Sequence, residues 1–325
     1  MSSKKLRQGI HADVPMEAYV NDPCPEPSLS ASAFADVLVS PLLAKTRHPR
    51  LGSGKREFSR AADLGSAAHA AALEGDEAIQ VITEKYPDDW KTEHLRGEHL
   101  LDYRTVKAKK IREKIYDAGK IPILMHEAPV VEAIRKSLDR GIRLIGQEYG
   151  AAGAQVEQTV VWQENGVWCR CRPDVLLVLD SPPGAQIRPC GIIDAKTSKS
   201  ADPDQWTRRV MWPSNHDLRA AWYIRGVERV TGNRVPHVFL LAETAPPHDW
   251  SWVTVPGESL HLAFQLIDIA VEMWGSSLRT GKWTGYPKTL QRPEMPRYRA
   301  EAFEDLIDDH RHNHPDEDVE VFGGS

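Results

Sequence analysis

The chain has little cysteine, four in 325 residues, and no two stand in the C-x2-C spacing of a zinc ligand set. Cys24, Cys169, Cys171 and Cys190 therefore make neither a disulfide framework nor a zinc site, and reduced, mostly buried thiols are expected. No apolar run approaches the roughly 18 residues that a membrane helix needs, and Met1-Ser2-Ser3-Lys4-Lys5 is not followed by the apolar core of a signal peptide. A cytoplasmic protein without membrane contact is the expectation. Excess positive charge is absent as well: 41 Lys and Arg against 46 Asp and Glu leave a net charge of −5. That excludes a surface basic everywhere, as in a nucleic-acid coat protein, and leaves local basic patches open. No internal repeat is visible.

What is present is ordinary for a globular chain, 41% hydrophobic and 27% charged, and long enough to bury a sizeable core. Residues 154–199 organise it. Val160-Val161-Trp162-Gln163 and Val167-Trp168-Cys169-Arg170-Cys171 flank Glu164-Asn165-Gly166, and Asn-Gly between β-rich runs is a strong hairpin signal because both residues accept positive φ. Strands over 155–163 and 167–179 are expected to pair antiparallel, with Arg170, Arg172 and Asp174 on one face of the second. A proline-rich loop, 180–189, leads to a third strand, Gly191 to Thr197, in which the period of two places Asp194 and Lys196 side by side. If the sheet aligns them, Glu157, Asp174 and Asp194 converge.

Upstream, Ser30 or Ser32 caps a short helix running through Leu42 and Leu43. The stretch from Arg60 to Glu74 reads as a helix from its alanine content, with His69 in its middle. Taken alone, His69 reads either as a hydrogen-bonded core histidine or as a functional group. Residues 86–118 read as a helical pair whose window 104–114 is the most basic in the chain. Lys107, Lys109 and Lys110 either track a phosphate backbone or form a solvated helix face. A helix at about 127–145 shows apolar residues at core spacing. Downstream, a helix from His216 to Thr231 puts Arg219 and Tyr223 on one face. A buried strand over Val238–Glu243, an alternating strand over Trp250–Val255, and a long helix at about 259–280 with Leu262, Leu266, Ile269 and Trp274 inward follow. One more helix begins near Arg299. His310, His312 and His314 then lead into a solvated acidic tail able to hold a metal only adventitiously.

The carboxylates suit a hard divalent ion such as Mg²⁺, which takes oxygen ligands and keeps waters that a phosphate oxygen can replace. Glu157, Asp174 and Asp194 supply those oxygens, and the Ala195 carbonyl is a further candidate ligand. An ion there polarises a scissile phosphate and activates a water. Lys196, two residues after Asp194, is placed to orient that water or to stabilise the developing charge. An acid-x-lysine triplet alone is most often a surface ion pair; the flanking Glu157, the Arg172-Pro173-Asp174 context, His69 and Arg219 lift it above that.

Leu64-Gly65-Ser66-Ala67-Ala68-His69, Val156-Glu157, Cys171-Arg172-Pro173-Asp174, Ile193-Asp194-Ala195-Lys196-Thr197 and Ala220-Ala221-Trp222-Tyr223, in this order, resemble the motifs of the PD-(D/E)XK nuclease superfamily. The chain looks most like its exodeoxyribonuclease VIII, or RecE-type, branch of phage recombination exonucleases. Ser30-Ala31-Ser32, the Glu243–Pro247 strand end and Gly281 to Pro287 add to the likeness, which spans roughly residues 15–290. The resemblance implies an α/β fold with a restriction-endonuclease-like core, a mixed central sheet flanked by helices. It implies Mg²⁺ or Mn²⁺ held by His69, Glu157, Asp174 and Asp194 and a catalytic Lys196; DNA contacts are expected from Arg219, Tyr223 and Arg172. Family members digest duplex DNA from its ends, 5′ to 3′, and pass the 3′ strand to a single-strand annealing protein; several form homo-oligomeric rings of three or four. The expected organisation is an N-terminal arm (1–27), a nuclease domain (28–298) with a helical insert at about 86–145 and a catalytic core at about 154–256, and a C-terminal helix and acidic tail (299–325). Two departures stand out. Arg219 occupies the place where the family commonly has glutamine, and loop 180–189 lengthens the Asp174–Asp194 separation. Two alternatives therefore stay open: an endonuclease or flap nuclease of the same superfamily, and a catalytically weak protein that binds DNA ends.

Overall fold

Alternation in Ile192-Ile193-Asp194-Ala195-Lys196 directs the two faces of one strand at two different layers, and the computed structural model is built about that strand. It describes residues 5–52, 64–182 and 184–313, in two units, Met1–Gly285 and Tyr286–Ser325.

The chain enters through β1 (Gly9–His11), α1 (Met16–Val20), α2 (Ala31–Val39) and α3 (Pro41–Arg47). The single helix expected from Ser30 is two. The Ser30 hydroxyl caps α2 by accepting from the Ala33 N–H, Ser40 caps α3 by accepting from the Leu43 N–H, and Pro41 fits the first helical position, where no backbone donor is needed. Then α4 (Leu64–Glu74) turns Ala67, Ala68 and Ala71 inward; its expected start at Arg60 lies outside the described residues.

A small body follows: β2 (Ile79–Ile82), α5 (Val106–Asp117) and β3 (Ile121–Leu124), with β2 and β3 paired in parallel. That pairing is not visible in the local sequence pattern. The helical pair expected over 86–118 is one helix, α5. Before it, Pro87 and Gly97 interrupt the chain, Tyr86 and Trp90 pack with ring centroids 5.3 Å apart, and Leu100 reaches a cluster with Ile82, Ile115 and Leu124. Side-chain packing there holds turns where helix propensity is weak. Helix α6 (Ala128–Glu148) lies close on the main sheet: a Cβ on Gly141 would come within 2.4 Å of Leu240 Cδ1.

The remaining elements are β4 (Gly153–Val156), β5 (Thr159–Glu164), β6 (Val167–Cys171), β7 (Val175–Val178), β8 (Pro189–Ser198), α7 (Pro203–Trp206), a π-helical turn (Thr207–Met211), α8 (His216–Thr231), β9 (His237–Glu243), β10 (Trp250–Thr254), α9 (Gly257–Thr280) and, in the second unit, α10 (Arg297–Asn313). The five-stranded sheet has the order β10-β9-β8-β7-β4, with β8 and β9 parallel and the other neighbours antiparallel. This is the expected mixed sheet. On one face Val175, Ile193, Ala195 and Leu240 bury against α4 and α6. On the other, Ile192 packs with α8, while Phe239 and Leu241 pack with Trp206, Met211 and Ala220.

The hairpin at Asn165-Gly166 forms as expected, with φ of 49° and 78°. Its arms, however, are not continuous strands. Each breaks in the middle, so that β5 and β6 join β1 in a second, three-stranded sheet while β4 and β7 belong to the main one. The face assignment of Arg170, Arg172 and Asp174 fails with it, because Arg172-Pro173-Asp174 is the corner. Proline there cannot donate to a ladder, which ends β6. Helix α9 also differs from expectation. Trp274 is buried and Leu266 packs on the core as expected, but Leu262 and Ile269 are 53% and 49% exposed, and Ala263, Ile267, Ala270 and Val271 complete the inward stripe. Small alanines let α9 approach the core, a choice that apolar spacing alone does not distinguish.

Candidate active site

The two breaks in the long hairpin face each other. At the β4–β5 corner Glu157 takes a positive φ of 53°, and its backbone N–H donates to the Asp174 carbonyl oxygen at 2.9 Å. A non-glycine residue held in the left-handed region costs about 1–2 kcal/mol and persists only where its surroundings enforce it. The corner brings the Glu157 and Asp174 side chains together. Helix α4 supplies His69, whose Nε2 is 3.2 Å from Asp174 Oδ2. One ligand atom each from His69, Glu157 and Asp174 lie within 4.8 Å of one another.

Strand β8 adds the other two groups. The Ala195 backbone N–H donates to Asp174 Oδ2 at 2.8 Å, which fixes that carboxylate against the strand. Asp194 and Lys196 form a close ion pair on the face turned to α8, and Lys196 Nζ also stands 3.9 Å from Asp174 Oδ2. Lys196 thus bridges two acids. Asp194 is buried, and its second oxygen, Oδ2, is buried without a hydrogen-bond partner. A buried carboxylate oxygen left unpaired is costly in a folded protein unless something charged or polar joins it.

The charge states follow from the packing. Burial works to raise the Asp174 carboxyl, but the Lys196 ammonium and the His69 ring outweigh it and hold Asp174 far below the usual carboxylate range. Burial raises Asp194, opposed by Lys196 and reinforced by Asp174. Burial and then Asp174 raise Glu157, with Arg172 pulling the other way. Burial alone would lower His69; Asp174 outweighs it and raises the ring. Burial and the neighbouring charges thus push two carboxylates up and hold one down within one cluster. Two carboxylates and an imidazole, from Glu157, Asp174 and His69, form a donor set that fits a hard divalent ion, and Asp194 stands outside that group, paired to Lys196.

The other expected site residues are distributed as follows. The Ala195 carbonyl accepts from Lys196 Nζ at 3.2 Å. Arg172 bonds Glu157 Oε2 at 2.5 Å and the Val14 carbonyl at 2.6 Å, so it orients an acid of the site. Arg219 and Tyr223, one turn apart on α8, line a cavity of about 170 Å³ together with Tyr19, Ser30, Arg47 and Arg170. Arg219 has no hydrogen-bonded carboxylate among the described residues, while its charge acts on Asp194 and Asp174. Lys107, Lys109 and Lys110 are exposed on α5, which packs on β3. His310 and His312 lie on α10, and His314 falls outside the described residues.

Two histidines were not singled out by sequence. His237 on β9 is buried with neither ring nitrogen partnered, and His216 opens α8. Burial and Lys196 lower them to about 3 and about 4. A histidine inside the apolar run Val235 to Leu241 was the available signal.

No curated protein matches the chain. Among solved structures, a putative exonuclease from Eubacterium rectale is 14% identical over 91% of this chain and 98% of its own, with a TM-score of 0.48. Protein VC1899 from Vibrio cholerae is 10% identical over 66% of this chain and 49% of its own, with a TM-score of 0.22. A family profile matches residues 30–274, from the cap of α2 to the middle of α9, and so takes in both corners, α4, β8 and α8. The chain belongs to the family of the PDDEXK-like domain of unknown function, DUF3799.

Proposed function

We propose that this protein is a metal-dependent exodeoxyribonuclease that hydrolyses phosphodiester bonds from the ends of double-stranded DNA. The observation that carries it is the meeting of His69, Glu157 and Asp174 at the corner between two sheets, with Lys196 bridging Asp174 and Asp194 beside them. His69, Glu157, Asp174 and Asp194 are the residues to hold Mg²⁺ or Mn²⁺. Such an ion supplies Lewis acidity toward the scissile phosphate and lowers the pKa of an attacking water.

The chain's own groups do the rest. The Ala195 N–H and His69 hold Asp174 in one orientation, and Arg172 does the same for Glu157. Lys196, with its ammonium paired to Asp194, donates toward the attacking water or a non-bridging phosphate oxygen and offsets the charge that develops there. Arg219, with no hydrogen-bonded carboxylate among the described residues, contacts a phosphate beside the site, and Tyr223 supports it from one turn away. The 5′ to 3′ direction, a role in recombination by strand annealing, a single-strand annealing partner and a ring-shaped homo-oligomer of three or four copies follow from the likeness to RecE-type exonucleases and belong to this proposal.

The test compares linear and covalently closed DNA with Mg²⁺ or Mn²⁺. Wild-type protein should release nucleotides from linear duplex only, and Asp194→Ala and Lys196→Ala should not. Cutting of closed circles would make it an endonuclease instead. A second possibility rests on Arg219, a cation where the family commonly has an amide: a weakly catalytic protein that binds DNA ends. It predicts salt-sensitive binding to DNA ends with no hydrolysis in either metal.

A further inference from the structure

Between β8, which carries the acid–lysine pair, and α8, which carries Arg219, the chain makes a π-helical turn, Thr207–Met211. Such turns are rare and collect at functional sites. This one is anchored at both ends: Trp206 and Met211 are both buried, against Phe239, Leu241 and Ala220. In an α-helix, residues five apart point about 140° away from each other, since each step turns about 100°. The wider turn, closed by the Trp212 N–H donating to the Thr207 carbonyl at 3.4 Å, lets both anchors reach the sheet. The consequence is outward. Arg208 and Arg209 are exposed, neither has a carboxylate partner among the described residues, and Trp212 keeps 37% of its surface exposed with no ring partner.

The buried side of the turn leads back to the strand that carries Asp194. Four residues after Trp212, the His216 ring stacks on Trp206 with centroids 5.6 Å apart and stands 5.6 Å from the Phe239 ring. Phe239 is the register partner of Asp194 across the β8–β9 pairing. On a chain of net charge −5, two guanidinium groups without a carboxylate partner among the described residues and an exposed indole therefore stand on a turn whose buried anchor packs on the strand next to the one that carries Asp194. Arginines capture phosphates, and an exposed indole offers a π-face to any unpaired base.

Resting on the nuclease function proposed above, we infer that the π-turn is a single-strand grip: Trp212 stacks on an unpaired base at the DNA end while Arg208 and Arg209 hold the phosphates flanking it. The preferred substrate is then duplex with a single-stranded extension rather than a blunt end.

The experiment is binding of fluorescently labelled duplexes, one blunt and one ending in a single-stranded 3′ extension, with Ca²⁺ replacing Mg²⁺ to suppress turnover. Trp212→Ala should weaken binding to the extended DNA about tenfold, the scale of one lost base–aromatic stack, and change blunt-end binding less than about twofold. Trp212→Phe should restore most of the loss. The double variant Arg208→Ala/Arg209→Ala should weaken both and reduce the salt slope by about two. Equal loss on the two DNAs, or no loss on either, for Trp212→Ala overturns the grip. Failure of the nuclease function is distinguishable: wild-type protein that discriminates the two DNAs through Trp212 yet degrades neither with Mg²⁺ or Mn²⁺ keeps the grip and loses the activity.

Discussion

The Glu157 backbone N–H bonds the Asp174 carbonyl oxygen at 2.9 Å, tying the two corners where one hairpin passes from the main sheet into a second. The bond makes the backbones of two acids, seventeen positions apart in the chain, into neighbours, and Arg172, His69 and the Ala195 N–H then orient their carboxylates.

Because Glu157 sits at a φ of 53°, glycine and alanine there should differ. Both remove the carboxylate and should abolish metal-dependent cleavage. Glu157→Gly, which tolerates the left-handed region, should be more stable than Glu157→Ala by about 1 kcal/mol. Urea unfolding of the two variants measures this. Equal stability would mean the corner is not under backbone constraint.

Metal should stabilise the fold. With free Mn²⁺ at a hundred times its dissociation constant, the expected gain is about 2.7 kcal/mol, seen as a rise in Tm that a chelator reverses. Asp174→Ala, removing the acid that touches His69, the Ala195 N–H and Lys196, should lose that rise. A variant that keeps the full metal-dependent shift would move the ion elsewhere.

A buried ionic cluster away from the site should govern acid stability. Asp22 accepts from the Ser28 hydroxyl at 2.6 Å and the Ser28 N–H at 3.0 Å, with Arg170 at 3.3 Å and His48 at 3.4 Å. Burial would raise its carboxyl, but bonds from His48 and the Arg170 charge outweigh that and hold it far below the usual range. A depressed folded-state pKa contributes stability that is fully present above the unfolded value, about 3.9, and is lost as pH falls below it. Wild-type stability should therefore drop steeply below about pH 4, and Asp22→Asn should be less stable at neutral pH with a shallower acid limb.

Gly226 on α8 faces Trp162 and Cys171: a Cβ would stand 2.7 Å from Trp162 Cζ3 and 2.9 Å from Cys171 Sγ. Gly226→Ala should cost about 1–3 kcal/mol through overpacking and displace the helix that carries Arg219. Calorimetry of this variant, beside Gly257→Ala where no atom lies within 4 Å, separates crowding from the loss of a glycine.

Much of this was legible in the residues. Asn165-Gly166 set the hairpin, period two set Asp194 beside Lys196, and the order of five short motifs pointed to the family to which the profile also assigns the chain. The profile supports that reading at the level of a PDDEXK-like domain and does not reach the RecE-type branch. These are local signals, each contained within a few residues, and local conformation is what sequence encodes most directly. The misreadings have a common cause. Residues 86–105 and the inward face of α9 depend on which neighbour each apolar side chain meets, and that is decided by packing.

By itself, the sequence determined that an acid and a lysine share one face of a strand, that His69 lies on an alanine-rich helix able to approach closely, and that no basic excess draws nucleic acid to the whole surface. Only the tertiary structure decided that Arg172-Pro173-Asp174 is a corner rather than a strand, that Arg172 holds Glu157, and that the turn before α8 points Arg208, Arg209 and Trp212 outward. The physical reason is that a break in a ladder has no fixed period. Where two strands leave one sheet for another depends on the proline, the strained φ at Glu157 and the layers packed on either side acting together.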